Sequence, residues 1–267
     1  GVCFVALRRP RERNRIDGGQ RPRCIRASVK ALRPGERIFL DASGPYHETL
    51  GGNKYWFQGV DDCSRLGWNS FAQHKSKMVD FAEALIKKLK GRGMPVKYLR
   101  CDNAGENVKP LRALCDAYGI TIEFTAPDTP QQNGVVERRI AVLTQRANAM
   151  MMAANLNEEG RKVLWAEAVN TANTLENVTS TSVNPKSAYE LMMKKKSGLM
   201  PYLQPFGRLG IVTIRRKFRG KWKEKGKKMM LIGYAADHTG DTYKMFDPIA
   251  KTMRLSRDIK WLEWKTP

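Results

Sequence analysis

The sequence has little of what a disulfide-built or zinc-built protein needs. Its five cysteines, Cys3, Cys24, Cys63, Cys101 and Cys115, form no CxxC pair and are odd in number. That argues against a disulfide framework and suits a reducing compartment. Histidine is scarcer, with three in the chain and none before His47. A tetrahedral zinc site takes four ligands, which Cys3 and Cys24 alone cannot supply, so no zinc is expected. No apolar run reaches the length of about 18 residues that a membrane-spanning helix needs, so no membrane partner is expected. The arginine-rich start lacks the apolar stretch of a secretory signal.

Negative charge is also in short supply. Across 267 residues, 26 Asp and Glu face 48 Lys and Arg, giving a net charge of +22 and a pI near 10.0. Such a balance points to a polyanionic partner such as nucleic acid. The charge is unevenly spread. Residues 1–37 hold eleven Lys/Arg against three Asp/Glu (+8), and residues 186–228 hold fourteen against two (+12). The rest is nearly neutral, as expected of a catalytic body with two basic arms that meet phosphates. Solvated basic tails would give the same runs.

Residues 1–35 carry many arginines and little periodicity, and read as disordered or as a degenerate remnant of a module. Strands are expected at 37–41, 54–60 and 67–74, followed by a helix over 76–89, where Met78, Phe81, Ala82, Leu85 and Leu89 recur at helical spacing and Ser76 is a cap candidate. A strand at 96–101, a helix at 111–118 closed by Gly119, and a strand at 120–124 come next. Residues 127–134, rich in Pro, Gln, Asn and Gly, read as a loop. Helices follow at 135–154, 162–175 and 187–194, and then five short strands between 211 and 261. This order describes an α/β fold, a mixed sheet flanked by helices in the ribonuclease H-like layout, with a small β-rich module after it. The expected divisions are 1–35, a catalytic core with helical extension over 36–200, and a DNA-binding module over 201–267.

Three carboxylates stand where phosphodiester chemistry would need them. Transfer of a phosphodiester uses two hard divalent cations held by carboxylates about 3.5–4 Å apart. Asp41 ends the first strand, Asp102 ends the fourth, and Glu137 opens the long helix after the Pro-rich loop. If those strands are neighbours, both aspartates project at one edge and the helix can bring Glu137 beside them. Singly, each has a structural explanation: a turn at Asp41, a strand-end cap at Asp102, and a helix-dipole partner at Glu137. Asp61 and Asp62 read as structural turn residues.

The motifs around these positions resemble one family. Asp41-Ala-Ser-Gly-Pro45 resembles the first-aspartate motif of retrotransposon integrases, and Cys101-Asp-Asn-Ala-Gly-Glu106 their second. Thr129-Pro-Gln-Gln-Asn-Gly-Val-Val-Glu137-Arg138 resembles the segment that brings the glutamate. Leu164-Trp-Ala-Glu-Ala168 and Asn184-Pro-Lys-Ser-Ala188-Tyr189 look like the helices that follow the core in the Copia group. Leu231-Ile-Gly-Tyr234, Phe246-Asp-Pro248 and Ser256-Arg-Asp258 look like that group's C-terminal module. Each motif is weak alone, but together they run in register from about residue 36 to 264. The chain is similar to Copia-type (Pseudoviridae-like) integrases over that span.

That resemblance implies DNA 3′-end processing and strand transfer by an Asp-Asp-Glu triad of Asp41, Asp102 and Glu137. It also implies two Mg²⁺ or Mn²⁺ ions, double-stranded DNA (element ends and target) as partner, and a homo-oligomer assembled on DNA. A nuclear site of action on chromosomal DNA, after a cytoplasmic particle stage, would follow. Between Asp102 and Glu137 lie 34 residues, one fewer than in retroviral enzymes, and a loop deletion near residues 108–110 would account for it. DNA contacts are expected from Gln131, Asn133 and Gly134 in the loop and from Arg138 and Arg139 on the helix. They are also expected from Arg215, Arg216, Lys217, Arg219 and Trp222 in a run that mixes cations with aromatic rings. The departure is at the N-terminus, where relatives carry a His/Cys zinc module. Two other readings remain open at this point: an inactive or domesticated DNA-binding relic, and a nuclease or transposase with the same carboxylates.

Overall fold

Alternation along strand β1 (Arg37–Ser43) sets up the first sheet. Successive side chains of a strand point to opposite faces. Ile38 and Leu40 therefore enter one core, shared with helices α1 (Met78–Lys90) and α2 (Val108–Tyr118). Phe39 points the other way and packs on Val60 and on Val136 of helix α3 (Gly134–Ala153). The computed structural model describes residues 30–102, 107–124, 133–180, 184–214, 224–235, 238 and 240–263. Gln131, Arg215, Arg216, Lys217, Arg219 and Trp222, all expected to contact DNA, lie outside the described residues.

The remaining strands are β2 (Tyr55–Asp61), β3 (Gly67–Ala72), β4 (Tyr98–Cys101) and β5 (Thr121–Phe124). Their order is β3-β2-β1-β4-β5. β1 and β3 each pair antiparallel with β2, whereas β1–β4 and β4–β5 are parallel. The mixed sheet with helices on both faces is the expected α/β layout.

Local chemistry explains the helix ends. Ser76, the cap candidate, lies inside a short 3₁₀ turn, Lys75–Lys77, and α1 starts at Met78 with no side-chain cap. Residues 108–110, expected as loop, are the first turn of α2. Pro110 is tolerated there because first-turn N–H groups have no helical acceptor. α2 stops at Gly119, whose φ of 66° is left-handed backbone that glycine adopts without a Cβ clash. α4 (Glu158–Val178) begins at Asn157, whose Oδ1 accepts from the Gly160 N–H at 2.8 Å. α5 (Ala188–Met193) has a capping box between Ser187 and Glu190.

The second sheet is antiparallel, in the order β10-β6-β7-β8-β9. Its strands are β6 (Leu209–Thr213), β7 (Gly226–Tyr234), β8 (Tyr243–Asp247), β9 (Thr252–Ser256) and β10 (Ile259–Trp261). Val212, Met229, Leu231, Tyr243 and Met245 make a small core on one face. On the other, Met230, Ile232 and Phe246 join α3, α4 and Trp56 of β2 in a common core. The Thr171 hydroxyl of α4 donates to the Ile232 carbonyl at 2.9 Å across this contact. Each fully buried side chain of this size contributes roughly 1.5–3 kcal/mol. The two sheets are thus tied through α4, and Ala31–Pro267 forms one compact unit. No helix among the described residues is long and apolar enough to cross a membrane.

Candidate active site

The parallel register Ile38↔Leu99 and Phe39↔Arg100, carried on at the same offset, sets Asp41 beside Asp102 at the carboxyl edge of the sheet. Both line one small cavity with Ala42, Lys75, Met78, Asn107, Val108 and Leu111. The strand period puts Asp41 on the same face as Phe39, the face that α3 covers. Val136 of α3 packs on Phe39, and the next residue is Glu137, in the helix's first turn. Gln58, directly opposite Asp41 on β2, is fully buried.

The charges of Asp102 and Glu137 both reach Asp41. Asp41 is pushed up from 3.8 to about 6, first by burial and then by the charges of Asp102 and Glu137. The Ala42 N–H, donating to Asp41 Oδ1 at 2.7 Å, and the Lys75 ammonium pull the other way. The three are not gathered into a ready cage: among the described residues, no three His, Cys, Asp or Glu side chains are close enough to hold an ion together. Glu137 is exposed, while Asp41 and Asp102 are half-buried. The donor set is nonetheless all carboxylate oxygen, the ligand type that Mg²⁺ and Mn²⁺ prefer. A carboxylate raised first by burial and then by acidic neighbours is a site short of positive charge.

The raised Asp41 has a consequence for stability. An acid whose folded pKa lies above its ordinary value contributes stability that is fully present below pH 3.8 and is lost as pH rises through about 6. At pH 8 the ionised Asp41 therefore strains the metal-free fold. Asp41→Asn should raise stability at pH 8 by about 1–2 kcal/mol, discounted for its partial exposure, and should give no gain near pH 4. Urea unfolding of both chains in chelator at the two pH values measures this. Equal midpoints at pH 8 would mean that ionising Asp41 costs the fold nothing.

Other expected residues fare differently. Arg138 is exposed on α3. Arg139, expected to reach phosphates, is corrected by the structure: its side chain is 9% exposed and points inward. Its Nη2 donates to Asn173 Oδ1 and Asn177 Oδ1, both at 2.7 Å, and burial pushes its guanidinium down to about 10. Asn133, expected on the DNA side, is 3% exposed at the start of α3, next to Gly134. Asp61 and Asp62 are structural, as read. Asp61 accepts from the Gly35 N–H at 2.7 Å and the Ser64 hydroxyl at 2.7 Å, and Asp62 from the Ala31 N–H at 2.8 Å. Lys75 and Asn107 were missed. No motif marks them, and only the fold shows that the turn before α1 and the start of α2 overhang the carboxylate edge.

The chain is similar in sequence to known proteins. Residues 209–267, which include the second sheet, match the family model described as retroviral polymerase SH3-like domain. Over 242 residues the chain is 31% identical to the retrovirus-related Pol polyprotein from transposon TNT 1-94 of Nicotiana tabacum, a match covering 89% of this chain and 18% of the relative. Over 216 residues it is 24% identical to the retrovirus-related Pol polyprotein from transposon RE2 of Arabidopsis thaliana, covering 78% and 14%. It thus spans less than a fifth of the curated relatives it matches. A solved structure of the simian T-cell lymphotropic virus intasome in complex with PP2A regulatory subunit B56 gamma aligns at a TM-score of 0.49 and 16% identity, covering 89% of this chain and 79% of that one. The SH3-like match and the two Pol relatives together support a Copia-type, integrase-region protein.

Proposed function

We propose that this chain is the catalytic and DNA-binding part of a retrotransposon integrase, which trims the 3′ ends of element DNA and joins them to a target duplex. The observation that carries the reading is the juxtaposition of Asp41 on β1 and Asp102 just past the end of its parallel neighbour β4, with the charge of Glu137 felt at Asp41. Asp41 and Asp102 would hold divalent cations with Glu137. Bound there, such ions activate an attacking oxygen and stabilise a leaving one. The chain's own part is to fix the two aspartates on rigid strands and to let α3 bring Glu137 toward them. It acts, in this reading, as an oligomer on chromosomal DNA in the nucleus.

The test is joining of a labelled DNA end to a plasmid in Mg²⁺ or Mn²⁺. Joined products support the reading. A chain that is folded and DNA-bound yet joins nothing would make it a binding protein derived from an integrase.

DNA affinity is assigned mainly to the basic run 215–223. The described strands on either side of it, β6 and β7, pair antiparallel, and the Ile214 N–H donates to the Lys225 carbonyl at 2.9 Å. Replacing Arg215, Arg216, Lys217 and Arg219 together by Ala should weaken binding to all sequences alike. It should also flatten the log–log salt dependence by up to about four units of slope. Fluorescence anisotropy across a salt series measures it, and an unchanged slope would show that these side chains do not meet phosphates.

A further inference from the structure

We propose that Lys75 is a DNA-contacting residue of the carboxylate site, its ammonium meeting a non-bridging phosphate oxygen of the strand end held there. The inference deepens the integrase reading and rests on it for the identity of the strand. Lys75 opens the 3₁₀ turn before α1 and lines the same cavity as Asp41 and Asp102. Its position is fixed from two sides. The Lys75 carbonyl accepts from Asn107 Nδ2 at 3.2 Å, tying the turn to the start of α2, and Met78, one turn on, is buried in the core.

Among the described residues, nothing pairs directly with the charge at this place. Lys75 is half-buried, and its ammonium makes no hydrogen bond or ion pair with any described residue. Other lysines of the molecule that stand near acids do make them: Lys77 with Asp80 at 2.9 Å, Lys87 with Glu83 at 2.8 Å, and Lys244 with Glu167 at 2.9 Å. Lys75 acts on Asp41 only at a distance. Once cations occupy the carboxylates, an ammonium beside them gains nothing from Asp41, and the anion left within its reach is the phosphate backbone. A lysine suits this place because it is a point charge on a flexible stem, able to follow a phosphate without imposing a fork geometry.

Two measurements test it. Lys75→Met keeps the stem and removes the charge, and should lower end joining about tenfold to a hundredfold, the range for losing one charge-assisted contact. Lys75→Arg should restore part of the loss, and Lys77→Met, at an exposed lysine of the same turn, should join ends as the wild type does. A merely structural Lys75 would show the loss as a lower melting temperature, with full activity per folded molecule. The second measurement needs no catalysis: the Lys75→Cys thiolate should attack a mixed disulfide tethered to the phosphate next to the DNA 3′ end, releasing its small thiol and leaving a protein–DNA disulfide, and Lys77→Cys should not. Full joining by Lys75→Met, or no cross-link above the unsubstituted chain, overturns the proposal. If the wild type joins no ends, the integrase reading fails, and the cross-link alone decides whether Lys75 meets DNA.

Discussion

Asp102→Asn will lower strand transfer on the order of 10²–10³-fold while the chain stays folded and bound to DNA. The substitution keeps the size of the side chain and removes only its charge. Asp102 follows β4 directly and makes no hydrogen bond or ion pair with any described residue, so the fold has little stake in its carboxylate. What is lost is half of the aspartate pair that β1 and β4 hold at one edge. The control must be acidic, near in sequence and free of a structural role. Asp62 fails the last condition, because it holds the Ala31 N–H and pairs with Arg37 and Arg65. Asp80→Asn is better, since Asp80 is 67% exposed and paired only with an exposed lysine. End joining, with circular dichroism and filter binding on the same preparations, reads all three properties. Equal joining by wild type and Asp102→Asn would remove Asp102 from the site.

Much of this arrangement was legible in the sequence because the periodicities are strong. β1 is a short apolar run, Ile38-Phe39-Leu40, buried on both faces, α1 repeats its apolar residues at helical spacing, and Gly119 stops α2 where a left-handed residue is required. The pairing of β1 with β4 enters the sequence reading only as a condition, and the register meets it. The parts that were not legible depend on contacts far apart in the chain. Nothing local says that Lys75 and Asn107 overhang the carboxylate edge, since that follows from where α1 and α2 pack. The starts of α2 and α4 were placed three and four residues late, because capping at Asn157 and tolerance of Pro110 in a first turn outweigh weak periodicity there.

Arg139 was misread for a different reason, and the signal was present. Val136 and Leu143 are buried on α3, and Arg139 lies three residues after the first and four before the second, so it falls on their face of the helix. Counting arginines along a helix suggested DNA, whereas counting turns would have put Arg139 inside and left Arg138 in solvent. Asn173 and Asn177, four apart on α4, supply what a buried guanidinium needs.

Arg139→Ala should therefore destabilise the fold by about 3–5 kcal/mol without weakening DNA binding per folded molecule. The guanidinium links α3 to α4 through both asparagines and lies 3.7 Å from Glu176, which also pairs with Arg146. The asparagines in turn donate to the Gly67 carbonyl at 2.9 Å and 2.8 Å, and the Gly67 N–H donates back to Asn177 at 2.9 Å. Removing Arg139 leaves the buried Asn173 Oδ1 without its donor, takes one of two donors from Asn177 Oδ1 and opens a cavity where the side chain lay, so the loss spreads from α3 through α4 to β3. Gly67 belongs to the same assembly. A Cβ there would come within 2.5 Å of Asn173 Oδ1 and 2.9 Å of Arg139 Nη2, so Gly67→Ala should also destabilise. Urea unfolding and anisotropy with duplex DNA separate the two roles. Arg138→Ala, on the exposed face, should show the reverse pattern, with normal stability and weaker binding. An Arg139→Ala chain that is as stable as wild type but binds DNA poorly would return Arg139 to the DNA surface.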